Sequence, residues 1–158
     1  MLSQNSDLRA NLVKYAAFIL NQRPYFRHKL REKLILRSKK LEAKDYLPVI
    51  EEILNDLTKS GYLNDSYLAE AFVRRQLSKG YGPRFIKLKL QALKLSSDTI
   101  SLALESQASI TAQIASAKAY LAKKRFSDPR KAVYSIYRRG FDPKITQKIF
   151  STSQYDLE

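Results

Sequence analysis

The chain of 158 residues contains no cysteine and a single histidine. The lack of cysteine excludes disulfides, thiolate metal sites and cysteine nucleophiles. His28 lies between Arg27 and Lys29 and has neither a second histidine with which to hold a metal nor a Ser-His-Asp arrangement to join. We therefore expect it to be a surface residue, and we predict no metal site.

Glycine is also scarce, with four residues in the chain. The segment Gly80-Tyr81-Gly82-Pro83 lacks the Gly-Lys-Ser/Thr ending of a phosphate-binding P-loop. Glu51, Glu52 and Asp56 share one helical face with lysines nearby, which is more typical of a solvated surface than of a catalytic site. The sequence thus predicts a protein that is not an enzyme, with no catalytic residue, no cofactor and no small-molecule substrate.

Long apolar runs are missing as well. The longest is a few residues, far from the roughly 20 that cross a bilayer. Residues 1–20 also lack a basic segment ahead of an uninterrupted apolar core, so they do not resemble a secretory signal. We expect a cytoplasmic protein with no membrane partner.

Acidic residues are few beside basic ones: 15 Asp and Glu against 29 Lys and Arg, a net charge of +14. The excess is distributed along the chain, with 12 basic against 7 acidic residues in 1–60, 7 against 4 in 61–107, and 10 against 4 in 108–158. A field of this sign attracts polyanions. The expected partner is a phosphate polymer or an acidic protein surface.

Apolar residues recur at helical spacing along the chain, and no stretch alternates convincingly as a strand would. We predict nine helices. The first is expected to be capped by Ser6 or Asp7 and the third by Asp45, and the last two start at Asp128-Pro129 and Asp142-Pro143. Glycines are expected to end three of the helices: Gly61, Gly80 with Gly82, and Gly140. Phe72 is predicted to be a buried anchor of the fourth helix.

The helices follow a pattern that suggests an internal repeat. Pro83 aligns with Pro129, 46 residues later, and Pro24 opens a looser first copy. We predict an all-α fold of three tandem three-helix units, 1–60, 61–107 and 108–158, which form one continuous, elongated and curved helical body. Chance similarity among amphipathic helices is the alternative.

Basic clusters recur once in each predicted unit, and we predict that they bind a partner. Lysine-rich helices that serve only solubility are the alternative for any one cluster. Tyr25, Tyr81, Tyr134 and Tyr137 lie near the clusters and would either stack on unpaired bases or pack against the fold. The predicted contact residues are Arg27, Lys29, Arg31, Lys33, Arg37, Lys39, Lys40, Arg74, Arg75, Lys79, Arg84, Lys87, Lys123, Lys124, Arg125, Arg130, Lys131, Arg138 and Arg139.

The central stretch "GYLNDSYLAEAFVRRQLSKGYGPRFIKLKLQAL" resembles the RecX family of bacterial regulators of the RecA recombinase. "RRGFDPKI" is similar to the closing unit of that family. The residues at matching positions are Gly61, Tyr62, Leu63, Asp65, Ala69, Phe72, Val73, Gly80, Gly82, Pro83, Ile86 and Leu90. The resemblance implies tandem three-helix units that lie in the groove of a RecA–DNA filament and restrain its assembly and activity.

Two functions therefore follow from the sequence. The first is a non-enzymatic regulator that binds a RecA filament through its basic face, where it contacts acidic protein surface and the phosphates of single- or double-stranded DNA without sequence preference. The alternative is a general basic helical nucleic-acid-binding protein without a recombinase partner. Charge fits both, and the glycine-aromatic string favours the first.

Overall fold

The computed structural model describes the backbone of residues 2–151 and the side chains of residues 6–151. Over this range the chain forms nine α-helices and no strand, which confirms the all-α class and is consistent with tandem three-helix units. None of the helices among these residues has the length and apolar character to span a bilayer. The helices are α1 (Leu2–Gln22), α2 (Arg27–Lys40), α3 (Tyr46–Lys59), α4 (Asp65–Ser78), α5 (Pro83–Ala92), α6 (Ser97–Gln107), α7 (Ile110–Lys124), α8 (Pro129–Arg138) and α9 (Pro143–Ser151).

Contacts divide the chain once, inside α4, into an N-terminal unit (Met1–Leu68) and a C-terminal unit (Ala69–Glu158). The finer division into three units stays a prediction. The ends of its first and third units, residue 1 and residues 152–158, lie outside the described residues.

The N-terminal unit is built on α1, α2 and α3, which pack against one another. Their apolar stripes meet in one core, and burying each aliphatic side chain contributes about 1.5–3 kcal/mol. Ser38 is the buried polar residue of this core, and its hydroxyl donates to the Leu34 carbonyl oxygen at 3.0 Å. The fully buried members include Leu12, Ala16, Leu30, Leu34, Ile50, Ile53 and Leu54.

Two capping predictions in this unit are wrong. Helix α1 begins at Leu2, so Ser6 and Asp7 lie inside it and do not cap it. Asp45 does precede α3, but it has a left-handed backbone (φ 49°) and its side chain accepts no capping hydrogen bond. The sequence offers Asn64 or Asp65 as the cap of α4, and Asn64 is the cap: its Oδ1 accepts from the Tyr67 amide at 2.9 Å.

The predicted starts of α8 and α9 are confirmed. Asp128 Oδ1 accepts from the Arg130 amide at 2.8 Å, and Asp142 Oδ1 accepts from the Lys144 amide at 2.8 Å. Pro129 and Pro143 begin the two helices, where a missing amide removes no intrahelical bond. The buried residues of α7 to α9 include Ala117, Ile136, Phe141, Ile145 and Ile149.

Phe72 is half-buried, so its prediction as a buried anchor is wrong. The buried line of α4 runs through Ala69, Val73 and Leu77, at intervals of four residues. Phe72 lies one position off that line, and the Arg75 guanidinium carbon lies 5.7 Å from the centre of its ring. The buried face of α4 is therefore narrower than the number of its apolar residues suggests.

Candidate nucleic-acid and protein interface

Two of the predicted contact arginines in the N-terminal unit share one carboxylate. Arg27 Nη2 lies 3.1 Å from Glu51 Oε2, and Arg31 Nε lies 2.6 Å from Glu51 Oε1. The hydrogen bond from Arg31 lowers the pKa of Glu51, although burial opposes it, and the bond from Arg27 adds to the effect. These arginines hold α2 against α3.

Arg27 has further partners on neighbouring segments. Its Nη1 donates to Thr58 Oγ1 at 3.1 Å, its Nη2 donates to Asn55 Oδ1 at 3.0 Å, and its amide donates to Asp65 Oδ1 at 2.8 Å. With its side chain bonded to Glu51, Thr58 and Asn55 and its amide to Asp65, Arg27 has a defined structural role within the unit.

Arg37 and Lys29 also have partners within the N-terminal unit. Arg37 Nε donates to Asn11 Oδ1 at 3.3 Å, and its guanidinium carbon lies 5.5 Å from the centre of the Tyr15 ring, so it ties α2 to α1. Lys29 pairs with Glu32 at 2.8 Å, and its hydrogen bond lowers the pKa of that carboxyl. The Lys29–Glu32 pair is solvent-exposed, and exposed pairs of this kind contribute little to stability.

Lys33, Lys39 and Lys40 are exposed, and within residues 6–151 they have no carboxylate within 4.0 Å. They are the free positive charges among the predicted contacts of this unit. Lys39 and Lys40 also lie in the last turn of α2, where the helix dipole favours cations.

In the C-terminal unit, the paired arginines of α4 differ in their contacts. Arg74 Nη1 lies 3.8 Å from Glu70 Oε2, as helical spacing predicts, while Arg75 lies over Phe72. Glu70 also accepts from Gln107 Nε2 at 3.2 Å. Both arginines are exposed, so both remain accessible to a partner.

Among the predicted contact residues of the C-terminal unit, Arg139 has the most contacts with other parts of the fold. Its guanidinium carbon lies 4.4 Å from the centre of the Tyr81 ring and 4.0 Å from that of Tyr120. Its Nη1 donates to the carbonyl oxygens of Lys79 at 2.9 Å and Gly80 at 3.2 Å. Arg139 therefore fixes the end of α8 to the end of α4.

The same two chain segments also pair through their backbones. The Gly82 amide donates to the Arg139 carbonyl oxygen at 2.8 Å, and the Arg84 amide donates to that of Gly140 at 3.0 Å. A Cβ at Gly82 would collide with the Gly140 carbonyl and the Phe141 amide. Gly82 thus allows a close backbone approach in addition to opening α5, whereas Gly80, at φ 76°, ends α4 as predicted.

The remaining predicted contacts of this unit are exposed. Within residues 69–151 no carboxylate lies within 4.0 Å of them. Two of them lie beside tyrosine rings: Arg84 is 4.7 Å from the centre of Tyr137, and Arg138 is 5.8 Å from that of Tyr134. The others are Lys79, Lys87, Lys123, Lys124, Arg125, Arg130 and Lys131.

The four tyrosines near the clusters fall into two groups. Tyr25 is half-buried against the N-terminal core, and Tyr81 stacks on Phe85 with ring centres 4.2 Å apart. Tyr134 and Tyr137 are exposed. Sequence reasoning left out Lys89, an exposed cation whose Nζ lies 5.2 Å from the centre of the Phe85 ring; its spacing of four residues from Phe85 was the available signal.

Comparison with known proteins relates most of the chain to one family. The model "RecX, second three-helix domain" matches residues 64–104. Regulatory protein RecX of Stenotrophomonas maltophilia (strain K279a) is 30% identical over 138 residues, which cover 82% of this chain and 79% of the relative. Regulatory protein RecX of Xanthomonas axonopodis pv. citri (strain 306) is 29% identical over 154 residues, 92% of this chain and 88% of the relative.

The fold is similar to that of a solved structure. The crystal structure of RecX from Lactobacillus salivarius superposes with a TM-score of 0.77, covers 93% of this chain and 97% of its own, and is 22% identical in sequence. The similarity of fold agrees with the sequence relatives, which carry the family assignment. The chain belongs to the RecX family.

Proposed function

We propose that this chain is a non-enzymatic regulator of the RecA recombinase that binds the RecA–DNA filament through exposed lysines and arginines. Its relatives are named regulatory proteins, and the family resemblance of residues 61–93 implies a RecA partner. The binding restrains filament assembly and activity. The protein itself hydrolyses nothing.

The observation that carries this proposal is the excess of exposed cations without carboxylate partners in both described units. Several acids are already used inside the fold: Glu51 and Glu32 in ion pairs, Asp128 and Asp142 in helix caps. An uncompensated positive surface attracts the phosphates of DNA and acidic patches of a protein.

The predicted contact residues divide by their internal partners. Arg27, Arg31, Arg37 and Arg139 are held within the fold, and we assign them to positioning. Lys29 stays in the contact set because its exposed ion pair is weak. The remaining contacts are Lys33, Lys39, Lys40, Arg74, Arg75, Lys79, Arg84, Lys87, Lys123, Lys124, Arg125, Arg130, Lys131 and Arg138.

A general nucleic-acid binder without a protein partner is the second candidate, because the same exposed cations would serve it. Retention of purified RecA on the immobilised protein in nuclease-treated, DNA-free buffer separates the two. The regulator retains RecA under these conditions. A protein that retains DNA but no RecA is the general binder.

A further inference from the structure

Helix α8 exposes two tyrosine rings on one face. Tyr134 and Tyr137 are 62% and 46% exposed, and they lie three residues apart, the spacing of neighbours on a helix surface. Neither hydroxyl has a hydrogen-bond partner within the described residues. Tyr120 of the same unit differs, since its hydroxyl lies 2.6 Å from that of Ser135. Burial and internal hydrogen bonds therefore do not account for the two α8 rings, and each has an exposed arginine beside it, Arg84 at Tyr137 and Arg138 at Tyr134.

The rings line an open groove of about 750 Å³ along α8 and α9. Its wall is mainly apolar. Val133, itself 39% exposed, adds to the apolar surface between the rings and the start of the helix. The principal lining residues are Pro129, Val133, Tyr134, Tyr137, Pro143 and Phe150.

Three guanidinium groups lie at this apolar surface or beside its two tyrosine rings. Arg130 lines the groove, Arg84 lies 4.7 Å from the Tyr137 ring centre and Arg138 lies 5.8 Å from that of Tyr134. No carboxylate lines the groove within residues 6–151. The nearby Asp128 and Asp142 side chains cap α8 and α9. An occupant that fits carries flat apolar groups next to negative charges.

We infer that the α8–α9 groove binds single-stranded nucleic acid, with unpaired bases stacked on Tyr134 and Tyr137 and the adjoining phosphates at Arg84, Arg130 and Arg138. Unpaired bases have free faces for aromatic side chains, and such stacking tolerates any base. In duplex DNA the bases are stacked on one another, so the groove selects single strands. This inference rests on the proposed function only in that both require the basic surface to meet nucleic acid.

The test compares three variants with the unaltered protein: Tyr134→Ala with Tyr137→Ala, Tyr134→Phe with Tyr137→Phe, and the control Tyr67→Ala. Tyr67, in α4, is 63% exposed and lies outside the groove. The probes are a fluorescent thymidine oligonucleotide of about 12 nucleotides, an abasic strand of equal length, and a duplex. Circular dichroism checks that each variant keeps its helices.

The double alanine variant should bind the thymidine strand at least about 5-fold more weakly than the unaltered protein, since even one lost stacking contact has an effect of this size. The same double alanine variant should bind the abasic strand and the duplex within about twofold of the unaltered protein, because its charge is unchanged. The double phenylalanine variant and Tyr67→Ala should bind all three probes normally.

Equal weakening on the thymidine and abasic strands, or no weakening on either, overturns the inference. So does a double alanine variant that binds single strands normally but loses RecA in DNA-free buffer, since the groove would then dock protein. Failure of RecA retention by the unaltered protein contradicts the proposed function and leaves the base-stacking comparison intact. The two failures are thus distinguishable.

Discussion

The guanidinium carbon of Arg139 lies 4.0 Å from the centre of the Tyr120 ring, so a residue at the end of α8 contacts one in α7. The Tyr120 hydroxyl is hydrogen-bonded with Ser135. Burial acts to raise the pKa of Tyr120, but the hydrogen bonds with Ser135 and Arg139 outweigh it and lower the pKa. Arg139 and Tyr120 thus connect α7, α8 and the end of α4 within the C-terminal unit.

Replacing Arg139 should therefore destabilise the fold. Arg139→Ala loses two charge-assisted hydrogen bonds to carbonyl oxygens and two ring contacts. We expect a loss of about 2–4 kcal/mol in the free energy of unfolding, measured by urea denaturation. The neighbouring Arg138→Ala, which removes an exposed side chain, should cost about 0.5 kcal/mol or less. Equal costs for the two variants would contradict a structural role for Arg139.

The two phenylalanines Phe72 and Phe141 should differ in their contributions to stability. Phe141 is fully buried in the C-terminal core, so Phe141→Ala should cost about 3–5 kcal/mol. Phe72 is half-buried, and Phe72→Ala should cost about 1–2 kcal/mol, since less apolar surface is lost. Urea midpoints of the two variants check this order. A larger loss of stability for Phe72→Ala than for Phe141→Ala would contradict the placement of Phe72 outside the core.

The ion pairs of Glu51 predict how stability depends on pH. Because hydrogen bonds from Arg31 and Arg27 lower its pKa below the usual 4.5 in the folded state, its contribution is present above pH 4.5 and is lost as the pH falls through the lower folded value. Glu51→Gln should flatten the fall of unfolding free energy below about pH 4.5. Thermal melts of both proteins from pH 7 to pH 3 measure this difference. Parallel curves would show that Glu51 has the same pKa folded and unfolded.

Filament binding should depend on where the positive charges of α4 lie, and not only on the net charge of the protein. Arg74→Glu with Arg75→Glu should weaken filament binding at least about tenfold while the helical circular-dichroism signal persists, because both side chains are exposed and phosphate contacts are replaced by repulsion. Lys14→Glu with Lys59→Glu changes the net charge equally at exposed positions outside the predicted contacts. Equal weakening by both pairs of substitutions would show that Arg74 and Arg75 contribute to binding only through the net charge of the protein.

Local chemistry made most helix limits predictable. The Asp-Pro pairs at Asp128 and Asp142 combine a side-chain cap with a fixed φ, so the starts of α8 and α9 follow from adjacent residues. Asp45 precedes a helix without capping it, because its left-handed backbone leaves the side chain without a capping hydrogen bond. Boundaries were therefore easier to predict than the interactions that set them.

The roles of the basic residues depended on distant partners. Arg27 meets Glu51 across 24 residues, Arg31 meets it across 20, and Arg139 meets the Lys79 carbonyl across 60. No local pattern encodes these separations. Sequence alone thus identified the basic clusters but did not separate structural arginines from exposed ones. The partial burial of Tyr81 and the exposure of Tyr134 likewise depend on the packing of α5 and α8.

The most direct test of the central claim titrates the protein into RecA–single-stranded-DNA filaments and into the same DNA alone, at one ionic strength of about 0.15 M. A filament regulator should bind the filament more tightly than the bare strand, and RecA ATP turnover should fall in proportion to the protein bound. Both effects should weaken as salt screens the charge. Equal affinity for filament and bare DNA, with RecA turnover unchanged at saturation, would contradict it.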